Sequence, residues 1–167
     1  MARKCKYTFR PDCEGLEGRQ LLSQTIINLY SDKVLDDPGA STSNGAQIIQ
    51  YHPNGQPNQQ WNLISAGNGN VYIQNVFSQK YLDDPGSSTS NGTAIIQYDF
   101  NGGTNQQWRL LPVNDGSNFH YVIQNASSGL VLDDANFSTD DGTGLIQYQY
   151  NGGANQVWGF GPAGSAS

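Results

Sequence analysis

LDDPGSSTSNGTAIIQYDFNGGTNQQW, residues 82–108, is the stretch that decides the fold, because the chain carries two further copies of it with few changes. These copies are LDDPGASTSNGAQIIQYHPNGQPNQQW at residues 35–61 and LDDANFSTDDGTGLIQYQYNGGANQVW at residues 132–158. The copies begin 47 and 50 residues apart, and no insertion or deletion falls within them. A period of this length indicates three copies of one small supersecondary unit.

Each repeat is predicted to contain four short strands separated by turns. In the middle copy the strand-like runs are 71–75, the residues just before Leu82, 94–98, and a run centred on Trp108. Pro-Gly, Asn-Gly and Gly-Gly pairs lie between the runs and favour turns, because glycine accepts positive φ and proline presets its own φ. Only 13% of the residues are charged. The chain is therefore predicted to be all-β, with about twelve short strands.

Three repeats restrict how the strands can close. A propeller needs typically four to eight blades, and an open array of three units would leave strand edges exposed. Three units that close around a pseudo-threefold axis remove the edges and bury one shared core. The prediction is a β-trefoil of three pseudo-symmetric four-stranded lobes. Its repeated core residues are expected to be the tryptophans and the Ile/Leu pairs: Trp61, Trp108, Trp158, Ile48, Ile49, Ile95, Ile96, Leu145 and Ile146.

The repeats also define the domain boundaries. At 167 residues the chain is long enough for one domain with a proper core. We expect an N-terminal extension of unknown role over 1–24, a trefoil domain over 25–161, and a flexible tail over 162–167. Within the domain, the lobes are expected at about 25–66 (lobe one), 67–115 (lobe two) and 116–161 (lobe three).

Charge is distributed unevenly along the chain. From Thr25 onward there are three basic and eleven acidic residues, a net charge of −8, and five of the eight basic residues precede Ser23. An acidic surface repels phosphate groups, so nucleic acid and anionic membranes are not expected partners. No run approaches the roughly 20 apolar residues that span a bilayer, and no apolar secretory signal is visible. We expect no membrane insertion, and either a cytoplasmic protein or a processed secreted one.

The cysteines and histidines give no metal-binding pattern. Cys5 and Cys13 both precede the repeats, so the repeat region has no disulfide. They either form one small loop in an oxidising compartment or remain free thiols. His52 and His120 occupy unrelated positions, and the paired spacings of zinc sites are absent. No metal and no cofactor are expected.

The Asn-Gln-x-Trp element with its preceding Leu-Asp resembles the ricin B-type lectins and the family 13 carbohydrate-binding modules. The resemblance covers about residues 25–160 and rests on several spaced elements that recur together three times. In that family each lobe binds sugar with an aspartate after the second strand, an aromatic residue on the third, and an asparagine followed by the glutamine of Gln-x-Trp. Carried over to this chain, the resemblance implies twelve carbohydrate-binding residues: Asp36, Tyr51, Asn58 and Gln59 in lobe one, Asp83, Tyr98, Asn105 and Gln106 in lobe two, and Asp133, Tyr148, Asn155 and Gln156 in lobe three.

These residue types suit sugar recognition. A carboxylate accepts hydrogen bonds from two adjacent hydroxyl groups, and charge-assisted bonds are the stronger ones. An asparagine amide both donates and accepts, and a tyrosine ring offers a flat apolar face to the C–H side of a pyranose. We expect the aspartates, tyrosines and asparagines to contact sugar. The glutamines and tryptophans are expected mainly to support the site and the core.

A second aspartate follows each predicted binding aspartate, namely Asp37, Asp84 and Asp134. Neighbouring residues of a strand point to opposite sides, which predicts that this aspartate lies in solvent or in a turn. The same alternation argues against the pair as glycosidase carboxylates, which must face one bond across roughly 5–9.5 Å. No enzymatic activity is expected.

Three functions fit these observations. The first is a lectin with up to three sites for galactose or N-acetylgalactosamine type glycans. The second is a carbohydrate-binding module for xylan or another polysaccharide that accompanies a glycoside hydrolase. The third is a trefoil that binds or inhibits another protein without recognising sugar.

Overall fold

The computed structural model describes residues 23–116 and 119–163, which contain twelve short β-strands. The predicted all-β class is confirmed. Most of the predicted N-terminal extension, with Cys5 and Cys13, and the last four residues of the predicted tail lie outside the described residues. Within residues 23–116 and 119–163, no helix has the length and apolar character needed to cross a membrane.

Four strands belong to each lobe. Lobe one contains β1 (Gln24–Asn28), β2 (Val34–Asp36), β3 (Ile49–Tyr51) and β4 (Trp61–Gly67). Lobe two contains β5 (Asn70–Asn75), β6 (Tyr81–Asp83), β7 (Ile96–Tyr98) and β8 (Trp108–Pro112). Lobe three contains β9 (His120–Asn125), β10 (Val131–Asp134), β11 (Leu145–Tyr148) and β12 (Trp158–Pro162).

The first and last strands of the three lobes form a closed antiparallel barrel. Around it, β1 pairs with β4, β4 with β5, β5 with β8, β8 with β9, β9 with β12, and β12 with β1. The ring therefore contains six strands and exposes no edge. The remaining strands form the hairpins β2–β3, β6–β7 and β10–β11. This arrangement is the predicted β-trefoil.

Three backbone hydrogen bonds connect the lobes in a closed cycle. The N–H of Ile48 donates to the carbonyl of Ile95 at 2.9 Å, and the N–H of Ile95 donates to Leu145 at 3.0 Å. The N–H of Leu145 then donates to Ile48 at 2.8 Å. Each lobe thus completes the backbone hydrogen bonding of another, and the pseudo-threefold axis runs through this cycle.

The tryptophans lie in the core, as predicted. Trp61, Trp108 and Trp158 are fully buried, and each indole N–H donates to a leucine carbonyl of its own lobe at 3.0–3.1 Å. Only the first member of each Ile/Leu pair is buried with them, because the second points to the other face of the strand. The prediction that both members lie in the core is wrong for Ile49, Ile96 and Ile146, which are half-buried on the opposite face.

Candidate functional site

The hairpin register brings the predicted aspartate and tyrosine of each lobe to one face. Val34 lies opposite Tyr51, and Asp36 lies opposite Ile49. Side chains directly opposite each other, or two positions apart along a strand, share a face of an antiparallel pair. The same register relates Asp83 to Tyr98 and Asp133 to Tyr148 in the other two hairpins.

A short 3-10 turn brings the predicted asparagine and glutamine to the same face. In lobe one this turn is Pro57–Gln59. The N–H of Asp37 donates to the carbonyl of Asn58 at 3.0 Å, and Asn58 Nδ2 donates back to the carbonyl of Asp37 at 3.1 Å. Asn105 and Asn155 make the corresponding side-chain bonds at 3.2 and 3.0 Å. These bonds fix the turn against the end of the second strand.

Each predicted glutamine uses its amide within the protein. Gln106 Nε2 donates to Asp83 Oδ2 at 2.8 Å and to the carbonyl of Asp99 at 2.8 Å, while its Oε1 accepts from the N–H of Asn101 at 3.0 Å. Gln59 and Gln156 make the same three bonds in their lobes. With both amide protons used, the glutamine is a positioning residue that holds the aspartate.

Asp83 retains one carboxylate oxygen for a ligand, whereas both oxygens of Asp133 accept, from Gln156 and Asn155. Asp83 Oδ2 accepts from both Gln106 and Asn105, and among the described residues no hydrogen bond reaches Oδ1. Burial raises the pKa of this carboxyl, and the two amide donors lower it again in part. Burial has the same effect on the pKa of Asp36 and Asp133. Each site therefore presents a partly desolvated carboxylate, which forms strong hydrogen bonds to hydroxyl groups.

The three tyrosines offer aromatic faces of different exposure. Tyr98 and Tyr148 are 44% and 41% exposed. Tyr51 is half-buried, and its ring lies 4.5 Å from that of His52 at an interplanar angle of 36°. A flat ring beside a carboxylate suits one apolar face and one polar edge of a pyranose.

In lobe one these residues line a cleft of about 460 Å³. Asp36, Tyr51 and Asn58 are among its walls, as predicted. The remaining walls were not predicted as site residues: Pro38, Gly39, Ala40, Ile49 and Asn54. The available signal was that an asparagine and an isoleucine recur at these positions in every repeat, as Asn101 and Ile96 do in lobe two.

The aspartates that follow the site aspartates are not in solvent, so that part of their prediction is wrong. Asp37, Asp84 and Asp134 are fully buried at the start of a 3-10 turn. The carboxylate oxygens of Asp134 accept no hydrogen bond from the described residues, whereas the backbone of Ser41 and Ser88 lowers the pKa of Asp37 and Asp84 in part. Burial is the main cause that raises the pKa of all three, to about 7, about 6 and about 7. The end of the second strand packs against the 3-10 turn that carries the site asparagine, so both faces of the strand end are buried.

A cluster of three or more histidine, cysteine, aspartate or glutamate side chains suited to a metal ion does not occur in residues 23–116 and 119–163. The side chains of the three candidate sites offer hydrogen bonding and apolar contact. Carboxylate, amide and aromatic groups of this kind bind neutral polyhydroxy ligands.

Comparisons with known proteins agree with the β-trefoil fold. The model of the ricin-type beta-trefoil lectin domain-like family matches residues 18–98 and 104–167. ThreeFoil, a designed threefold-symmetric protein, is 44% identical with a TM-score of 0.80 over 83% of this chain and 97% of its own. No curated protein sequence matches the chain.

Two natural proteins are also similar. An exo-beta-1,3-galactanase from Clostridium thermocellum is 38% identical with a TM-score of 0.80, over 84% of this chain but only 30% of the enzyme. The Rhizoctonia solani agglutinin is 25% identical with a TM-score of 0.75, over 84% of this chain and 94% of its own. With its triplicated Gln-x-Trp repeat and closed trefoil barrel, the chain belongs to the ricin-type β-trefoil lectin domain-like family.

Proposed function

We propose that the protein is a lectin without enzymatic activity that binds galactose or N-acetylgalactosamine type glycans. Binding takes place at up to three sites, called site one (Asp36), site two (Asp83) and site three (Asp133). The observation that carries the proposal is the site-two carboxylate. Gln106 holds one oxygen of Asp83, and the other oxygen is left for a ligand beside the exposed ring of Tyr98.

Three sites matter because each alone is shallow. Single shallow sugar sites bind near the millimolar level, which corresponds to about −4 kcal/mol. Three sites around one axis raise the avidity for a sugar-coated surface by about 10² to 10⁴. The same geometry allows one molecule to bridge several glycans. Agglutination of cells or glycoprotein is the expected readout, and the similarity to an agglutinin supports it.

A second candidate is a carbohydrate-binding module that brings a glycoside hydrolase to a polysaccharide. The similarity to an exo-beta-1,3-galactanase favours it, because the matched segment is 30% of that enzyme. A module of this kind binds internal units of galactan or xylan chains. The lectin binds terminal sugars, so the two functions differ in whether a free non-reducing end is required.

The first prediction concerns the three site aspartates together. Asp36→Asn, Asp83→Asn and Asp133→Asn in one chain keep the size of each side chain and remove its charge. Since charge-assisted hydrogen bonds are roughly twice as strong as neutral ones, we expect at least about a tenfold loss of galactoside affinity and the loss of agglutination. Calorimetry and a glycan array measure the first effect, and a haemagglutination titre measures the second.

The matched control is Asp140→Asn, which removes the charge of an exposed aspartate. It should leave sugar binding unchanged. If the unaltered protein binds no galactoside, xylan or galactan, the proposal is wrong. If the triple variant still binds a protein partner with the affinity of the unaltered protein, the chain would instead be a trefoil that recognises protein. Preference for polysaccharide over terminal galactosides would favour the module.

A further inference from the structure

One position distinguishes site three from the other two. The residue four positions after the site aspartate is Ala40 in site one, Ser87 in site two and Phe137 in site three. All three share one left-handed backbone conformation, with φ of 50°, 51° and 53°. A bulky residue with positive φ is a rare choice. The lobes therefore differ here in side chain and not in backbone path.

The ring edge of Phe137 and the predicted site asparagine both lie beside Gly153. A Cβ added to Gly153 would be 2.9 Å from Phe137 Cζ, 2.9 Å from Asn151 Oδ1 and 2.5 Å from Asn155 Oδ1. At the equivalent Gly103 of site two, the added atom would meet only Asn105 and Asn101 among its three nearest atoms. The aromatic neighbour is specific to site three in this comparison.

Phe137 is held in place from another lobe. Its ring packs edge to face against Tyr30 of lobe one, with ring centroids 5.0 Å apart and an interplanar angle of 80°. Aromatic pairs prefer this geometry. Phe137 nevertheless remains 44% exposed. It offers a second aromatic surface at the site, in addition to Tyr148.

The asparagine of site three is left with an unused acceptor. Asn155 is 3% exposed, compared with 9% for both Asn58 and Asn105. Its Nδ2 donates to the carbonyl of Asp134 and to Asp133 Oδ1, whereas its buried Oδ1 accepts no hydrogen bond from the described residues. In site two, Asn105 Oδ1 accepts from Asn101 Nδ2 at 3.4 Å. Asn155 Oδ1 has essentially no accessible surface, so a ligand can reach the exposed ring of Phe137 but not the oxygen itself.

An acetamido group fits the exposed ring, because its methyl group can pack on the face of Phe137. A hydroxyl group supplies no apolar surface. Resting on the proposed function, we propose that Phe137 makes site three selective for 2-acetamido sugars over the matching unsubstituted hexoses. Sites one and two, with alanine and serine at this position, accept both sugars with similar affinity.

The experiment isolates single sites. Asp36→Asn with Asp83→Asn leaves site three as the active site, and calorimetry then compares N-acetylgalactosamine with galactose and N-acetylglucosamine with glucose. We expect about a fivefold preference for the acetamido sugar in whichever of the two pairs binds more tightly, because its methyl group packs on the ring of Phe137. Phe137→Ser, which reproduces the residue of site two, should reduce the preference to about twofold or less.

The reverse substitution supplies the matched control. Ser87→Phe in a chain carrying Asp36→Asn and Asp133→Asn should transfer the preference to site two, on a backbone of the same conformation. Equal preference before and after Phe137→Ser overturns the inference while the lectin function stands. Stronger binding of both sugars after Phe137→Ser also overturns it, because Phe137 would then be a block. If no site of the unaltered protein binds sugar, the proposed function fails as well.

Discussion

The two aspartates of each Asp-Asp pair are chemically identical and have different surroundings. In lobe three, Asp133 accepts from the side chains of Gln156 and Asn155. Asp134 is fully buried, and neither of its carboxylate oxygens has a hydrogen-bond donor among the described residues. A buried carboxylate without donors favours its neutral form. The first aspartate is thus suited to ligand binding, and the second makes stability depend on pH.

The second prediction is the direction of that dependence. Burial, with a smaller effect of the charge of Asp133, raises the pKa of Asp134 from 3.8 to about 7. Between about pH 4 and pH 7 the folded state therefore binds more protons than the unfolded state, so stability falls as pH rises. Burial raises the pKa of Asp37 and Asp84 in the same direction. We expect a higher melting temperature at pH 5 than at pH 8, by differential scanning calorimetry.

The variant Asp134→Asn tests the cause. It removes the titrating group and should stabilise the protein at pH 8 by on the order of 1 kcal/mol, or about 2–4 °C in melting temperature. Its effect at pH 5 should be smaller. Asp141 provides the opposite case, because hydrogen bonds from His52 and Lys33 lower the pKa of its carboxyl to about 2. The contribution of Asp141 to stability is lost only below about pH 4, outside the range from pH 5 to pH 8. Melting temperatures that rise from pH 5 to pH 8 would contradict the prediction.

At the scale of elements, a buried glutamine in each third strand joins two lobes. Gln97 Nε2 donates to the carbonyls of Ser41 and Ser43 of lobe one at 2.9 and 3.2 Å, and its Oε1 accepts from Ser78 Oγ at 2.8 Å. Gln50 reaches lobe three and Gln147 reaches lobe two in the same way. The six inter-lobe bonds run in one direction around the axis, so every lobe is both donor and acceptor.

The third prediction follows from these contacts. Gln97→Leu keeps a similar volume and removes the amide, which leaves two carbonyls and one hydroxyl without their partner. A fully buried group of this kind costs about 1–3 kcal/mol, and the sum is smaller here because Ser41 and Ser78 are half-buried and Ser43 is exposed. We expect a loss of about 2–4 kcal/mol in the free energy of unfolding, measured by urea titration.

An exposed glutamine near the end of the next hairpin serves as control. Gln149→Leu should change the free energy of unfolding by less than about 0.5 kcal/mol, because its side chain is exposed. Equal effects of the two substitutions would show that the inter-lobe bonds contribute nothing measurable to stability.

At the scale of the whole molecule, the lobes cannot complete their hydrogen bonding alone. The six-stranded barrel takes two strands from each lobe. The cycle through Ile48, Ile95 and Leu145 takes one donor and one acceptor from each. The three tryptophans and these residues pack into one core. The trefoil therefore behaves as a single cooperative unit.

The fourth prediction is that unfolding occurs in one transition. Thermal melts followed by far-ultraviolet circular dichroism and by tryptophan fluorescence should coincide, as two-state unfolding requires. A fragment of residues 67–115 should remain unfolded, since it would expose the strand edges and the core that lobes one and three cover. A folded fragment, or two separate transitions of the intact chain, would contradict the prediction.

Local pattern was sufficient for much of the architecture. The strand-like runs and the Pro-Gly, Asn-Gly and Gly-Gly turns predicted a strand at 71–75, and the structure has it at Asn70–Asn75. The triplicated repeat predicted closure around an axis. Strand alternation also separated the two aspartates of each pair, because neighbouring side chains point to opposite faces.

The sequence by itself therefore determined the number of lobes, the positions of most strands, and which residue types recur at each site. Only the tertiary structure decided that Asp134 is buried, that Ile49 lines a cleft, and that Phe137 packs against Tyr30 beside Gly153. The physical reason is the distance along the chain over which each kind of interaction acts. Strand and turn preferences act between neighbours along the chain, whereas burial and these contacts depend on which surfaces of distant segments meet when the three lobes close.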